Sequence, residues 1–198
     1  MKSLTKLSAA AFVMLMGTAQ GALADGHSCT FEKDPIDFDQ SEIDALYACV
    51  VDTLAEGYAA EGHEIGSVYR DWAPTATGPY NPGTHGERFL NTFANDVAAE
   101  QYLQYAYGDD LVMPVGSILA KESYKLRGDG TPRPGPLFIM TKVEAGGEAE
   151  EFGNWVYSGV QPNGKNMGVK QSFCHNCHQA FADQDSMGYP DSTVRFSN

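Results

Sequence analysis

The chain has 198 residues, 42% hydrophobic and 11% aromatic, which is the composition of a folded globule and excludes wholesale disorder. Its 13 basic and 26 acidic side chains give a formal charge of −13. A surface of that sign repels phosphate backbones and anionic headgroups, so nucleic acids and peripheral membrane binding are poor candidates.

The first segment has three parts. Lys2 and Lys6 are basic, residues 9–16 are apolar, and Ala22-Leu23-Ala24 is a small-x-small cleavage sequence. This pattern predicts a secretory signal peptide over 1–24, with Asp25 as the first mature residue. The apolar run is too short to cross about 30 Å of hydrocarbon. The expected product is exported to a bacterial periplasm, does not span the membrane, and lives where disulfides persist.

Beyond an acidic lead-in, Asp39-Gln40-Ser41-Glu42 reads as a capping box. Ile43, Leu46, Tyr47, Val50, Val51, Leu54 and Tyr58 recur at helical spacing, and Gly62 supplies a stop, so one amphipathic helix is predicted over 40–61. Residues 69–86 are rich in Pro and Gly and predict a long loop without regular structure. Residues 88–94 fit strand or helix equally. Asn95-Asp96 is a cap candidate for a helix over 97–107. Strands are predicted over 117–126, 137–143 and 154–160, with Arg127-Gly128-Asp129-Gly130 and Pro162-Asn163-Gly164 as turns. No repeat or low-complexity linker divides the chain, so a single domain over 25–198 is expected.

The strongest chemical signal is Cys174-His175-Asn176-Cys177-His178, the CxxCH attachment sequence for one covalently bound c-type haem. Two thiols about one helical turn apart meet the two haem vinyl groups, and His178 falls beneath the iron as its proximal ligand. A thioredoxin-like pair would follow a strand in a βαβ unit, which is absent. A zinc finger would need a fourth ligand at matching spacing, with only His27, His63, His85 and His175 left over. Cys29 and Cys49 remain as a pair, and a structural disulfide between them would contribute roughly 3 kcal/mol by the chain-entropy model. For the opposite iron position the thioether candidates are Met113, Met140, Met167 and Met187. Met140 reads as core, Met187 is close in sequence to His178, and Met167 stays open in a Gly-rich loop. His85 reads as organising its own loop. No sixth ligand stands out.

In order, the chain carries His85-Gly86-Glu87-Arg88, Asn91, Asn95-Asp96, then Pro114 to Glu122 as PVGSILAKE. Gly135 to Lys142 follows as GPLFIMTK, then the aromatic strand Asn154-Trp155-Val156-Tyr157 and the haem sequence. This order resembles the cytochrome P-460 family, which includes the cytochromes c′-beta. The resemblance covers roughly residue 69 to the end, and 25–66 is read as a helical extension to a core over 67–198. It implies a mainly antiparallel β-sheet core with flanking helices; with the N-terminal amphipathic helix read above, a second helix and a short C-terminal haem-bearing helix, the expected fold is α+β. It also implies a haem with an open distal side, and commonly a homodimer. In hydroxylamine-oxidising members a lysine is bonded to the macrocycle; Lys121 matches that position and Lys125 is second. Burial among Ile118, Leu119 and Ala120 would favour the neutral, nucleophilic amine of Lys121. Glu122 and Glu144 are candidate bases, both read as solvated carboxylates, and Phe89, Phe93 and Phe138 are candidate pocket aromatics.

Three functions follow as expectations. The first is an oxidoreductase of hydroxylamine or a related nitrogen compound. The second is a non-catalytic nitric-oxide-binding haem protein. The third is a six-coordinate electron carrier. A redox partner protein is expected in the first and third, with the acidic surface available for docking.

Overall fold

The computed structural model describes residues 29–80, 83 and 85–197. The targeting segment expected at 1–24 lies outside them. Among the described residues no helix is long and apolar enough to cross a membrane.

The capping box forms as expected. The Asp39 carboxylate accepts from Glu42 N–H at 3.0 Å, and Glu42 accepts from Asp39 N–H at 2.8 Å. The predicted long helix is two, α1 (Gln40–Ala48) and α2 (Val51–Ala59). The break lies at Val50, whose φ of −122° leaves the helical range. There Cys49 is bonded to Cys29, with Cα atoms 5.8 Å apart, so the cross-link anchors the lead-in at the helix junction. Ile43, Leu46, Val50, Leu54 and Tyr58 still form one buried stripe across the break. α3 (Asp96–Tyr102) is shorter than predicted, and its N-cap is Asn95, whose side chain accepts from Ala98 N–H.

The ambiguous segment at 88–94 is strand β2 (Phe89–Ala94), and β3 (Ile118–Leu126), β5 (Leu137–Lys142) and β6 (Trp155–Val160) fall where expected. Two short strands occur in stretches read as loop: β1 (Ala73–Pro74) and β4 (Pro132–Pro134). Both are edge segments, where a proline's missing N–H breaks no ladder. The six strands form one antiparallel sheet in the order β1-β2-β3-β5-β6, with β4 paired to the end of β3. This six-stranded sheet with its accompanying α-helices gives the α+β architecture. Between β4 and β5 lies Gly135, whose carbonyl accepts from Tyr58 Oη at 2.7 Å. A Cβ there would lie 2.4 Å from Ser123 Oγ and 2.6 Å from Arg88 Nη1, so the close approach requires glycine.

Strand alternation sorts the sheet into two faces. Phe89, Phe93, Ala120, Tyr124 and Ile139 join the α1–α2 stripe in one core. Ala94, Leu119, Met140, Trp155 and Tyr157 form the other core with α3 and the C-terminal segment. Lys121 and Glu122 are neighbours on β3 and therefore point to opposite faces.

Candidate haem-iron site

The CxxCH sequence lies on α4 (Gln171–His178). The helix is docked by a side chain that imitates a strand: Gln171 accepts from Tyr157 N–H and donates to Tyr157 O, both at 2.7 Å. This fixes α4 against β6 and sets where its last residue falls. Cys174 and Cys177 are unbridged thiols one turn apart on the same helix, Cys174 half-buried and Cys177 exposed.

His178 is buried at the helix end, and its Nδ1 lies 2.7 Å from Ser186 O. A carbonyl only accepts, so Nδ1 carries the proton and Nε2 keeps its lone pair. That is the tautomer of a metal-ligating imidazole held by a backbone partner. The Ser186 carbonyl is itself positioned. Asp185 and Ser186 have φ of 49° and 63°, both left-handed. The Asp185 carboxylate is bonded by Lys142 Nζ at 2.7 and 2.8 Å, and also accepts from Met113 N–H at 2.7 Å. The Asp185 carbonyl accepts from Trp155 Nε1 at 2.7 Å.

On the same sheet face, Lys121 pairs across the ladder with Phe138, which pairs with Gly159. Burial pushes the Lys121 amine down to about 8. Burial first, and the Lys121 charge second, push His178 down to about 4 and His85 down to about 3. Both imidazoles are therefore held neutral at pH 7. The His85 ring lies 5.0 Å from Phe138 and 6.1 Å from His178, centroid to centroid. Tyr157 lies 5.3 Å from His178 on the same measure.

Glu122 was read as solvated, but it is fully buried. It accepts from Tyr47 Oη at 2.7 Å and from Tyr69 Oη, and forms an ion pair with Arg70. This network sits on the helix side of the sheet, away from Lys121. Glu144 is exposed, as expected. Phe89 and Phe93 belong to the helix-side core, so of the three candidate aromatics only Phe138 faces the site. Lys125 shares the face of Lys121 but lies four residues along β3, about 13 Å away in an extended strand. Met113, Met140 and Met187 are buried in the core beside α3. Met167 lies against Gly159, where its Cε would be 2.8 Å from an added Cβ.

These residues fit a haem. His178 presents one neutral nitrogen, two thiols stand on the same helix, and Tyr157 Oη and His175 Nδ1 are buried polar atoms without a protein partner. One neutral histidine with two thiols one turn apart on its own helix is a donor set that suits an iron held by a macrocycle. Sequence reasoning named Cys174, Cys177 and His178 but missed the residues that position them. Gln171, Lys142, Asp185 and Ser186 act through tertiary contacts that leave no local pattern.

No curated protein matches the chain. A family model described as Cytochrome P460 matches residues 67–187, more than half of the chain. That match covers β1 to β6, the CxxCH helix and the Asp185–Ser186 support, and it shows that the chain is a haem-binding cytochrome belonging to the cytochrome P460 family.

Proposed function

We propose that the chain is an exported, single-haem c-type cytochrome that takes a small nitrogen compound at its iron and oxidises it, hydroxylamine being the substrate class. The observation that carries this reading is Lys121: an amine driven toward neutrality by burial, on the sheet face that also carries Phe138 and near His178. A lone carrier of electrons has no use for a nucleophilic amine there.

Cys174 and Cys177 hold the macrocycle as thioethers, each S–H adding across one vinyl group with no leaving group. His178 Nε2 would hold the iron, and Ser186 O fixes the ring through Nδ1. When bound, the haem supplies a Lewis-acidic iron that accepts the nitrogen lone pair and a sink for electrons that pass to an external partner. Lys121 would supply the amine for the bond to the macrocycle that marks the hydroxylamine-oxidising members. Such a bond would need an external two-electron oxidant of the peroxide class, which would take up the two electrons and two protons released. Phe138 limits the space to small ligands. The acidic surface favours a basic redox partner, an attraction that weakens with salt. The signal-like segment at 1–24 supports a periplasmic location.

Intact mass and peptide mapping of the haem-loaded protein test this directly. The expected result is haem mass on the Cys174–Cys177 peptide and on the Lys121 peptide. A Lys121 peptide free of haem, in a protein that still binds nitric oxide, would leave the non-catalytic ligand-binding function in its place.

A further inference from the structure

Positive charge is scarce in this chain, with 13 basic side chains against 26 acidic ones, yet three cations stand together without a carboxylate. We propose that Arg88, Lys125 and Arg133 form a carboxylate-binding site at the rim of the haem pocket, filled by the propionate side chains of the haem. The inference rests on haem binding as argued above, not on the oxidation of hydroxylamine.

Strand register brings the three together. Lys125 on β3 pairs with Arg133 on β4. Phe89 pairs with Tyr124, so Arg88, one residue earlier in the chain, stands opposite Lys125. Residues opposed across an antiparallel pair share a face, and Lys125 shares the face of Lys121. The row therefore lies on the side of the sheet that carries the haem site. The Arg88 guanidinium crosses β3 to reach Gly135, where its Nη1 would lie 2.6 Å from an added Cβ.

No acidic side chain neutralises this row. Among the described residues the ion pairs are those of Lys33 with Glu42, Arg70 with Glu122 and Lys142 with Asp185. Arg88 Nη1 is buried without a hydrogen-bond partner. Burial first, and the Arg133 charge second, lower the pKa of Arg88. A buried donor without an acceptor and like charges side by side both cost free energy. An anion relieves both at once, and a guanidinium fork matches a carboxylate in shape as well as charge.

The row adjoins the haem site. The charges of Lys121 and Arg88 both act on His85, whose ring is 6.1 Å from that of His178. Cys174, Cys177 and His178 account for the vinyl groups and the iron, which leaves the carboxylates of the haem to be neutralised. In so acidic a chain this row is where they meet positive charge that no protein carboxylate has taken. A free oxyanion such as nitrite offers the same chemistry from solution.

The test uses haem-loaded full-length protein and the variants Arg88→Leu, Arg88→Lys and Arg133→Gln, the last at an exposed position. The propionate bending band of the resonance Raman spectrum reports the hydrogen bonds those carboxylates receive. Arg88→Leu should move the band to lower frequency, with smaller shifts of the same sign in Arg88→Lys and Arg133→Gln. Calorimetric titration of the wild type with nitrite or inorganic phosphate should show no binding. Binding of either anion, weakened about tenfold or more in Arg88→Leu while the band stays in place, would overturn the haem carboxylate as occupant and assign the row to a free oxyanion. An unmoved band in Arg88→Lys and Arg133→Gln, with no anion binding, would overturn the site itself, whether or not Arg88→Leu folds. Absence of haem mass from the wild-type protein would instead remove the haem binding on which the inference rests.

Discussion

Removing Arg70 should destabilise the protein without touching the haem. Its guanidinium pairs with Glu122, whose side chain is fully buried, and its Nη2 also donates to Val51 O at 2.8 Å. Arg70→Met leaves the carboxylate facing only the hydroxyls of Tyr47 and Tyr69. Breaking a buried ion pair by removing one partner costs about 3–5 kcal/mol. For a domain of this size each kcal/mol lowers Tm by roughly 2–4 °C, so the expected loss is about 6–20 °C. The double variant Arg70→Met/Glu122→Leu should recover most of it, since the uncompensated charge is gone. Thermal unfolding followed by far-ultraviolet circular dichroism reads the stability, and the reduced-state absorption spectrum reads the haem. Because Glu122 faces α1 and α2, that spectrum and the rate of nitric oxide binding should be unchanged in Glu122→Gln. A cost below about 1 kcal/mol for Arg70→Met would refute the burial of the pair. Altered ligand binding in Glu122→Gln would refute the assignment of the two faces and restore Glu122 as a base at the iron.

The support of His178 can be tested at its far end: Lys142→Met should destabilise by about 3–5 kcal/mol as a broken buried pair and also shift the iron–histidine stretching frequency of the reduced protein, whereas a purely structural lysine would move only the stability. The paired substitution Cys29→Ser/Cys49→Ser should lower unfolding free energy by about 3 kcal/mol in urea titrations, with a spectrum identical to wild type. Gly135→Ala should cost about 1–3 kcal/mol in the same titrations, because the added methyl meets Ser123 and the Arg88 guanidinium.

What could be read from the chain beforehand was whatever is encoded locally. The capping box at Asp39, the Asn95 cap, the alternation of β3 and the spacing of CxxCH each lie within a few residues, and each recurs in the fold. The break at Val50 was hidden because the apolar stripe runs through it unbroken, so periodicity carried no trace of the kink. β1 and β4 were hidden by their prolines, which argue against strands except at edges. Phe89, Phe93 and Phe138 looked alike as aromatics in apolar runs. Only the pairing register tells which face each takes. Glu122 shows the same limit more sharply, since its partners Tyr47, Tyr69 and Arg70 come from 52 to 75 residues away.

That register joins the two halves of the molecule. Lys121 and Glu122 are consecutive, yet one faces the iron site and the other a buried ion pair under the N-terminal helices. A slip of β3 by one residue against β2 would exchange them, because every side chain would change face. Lys121 would then enter a pocket built to donate hydrogen bonds to an anion, and Glu122 would bring an unpaired carboxylate among Phe138, His85 and His178. Neither placement is tolerable, since a buried charge without a partner costs several kcal/mol. The Arg70–Glu122 pair on one face therefore does more than hold α2 to the sheet. By making the slipped register prohibitive, it fixes which way Lys121 points, and a segment that never meets the haem sets the position of the amine beside it.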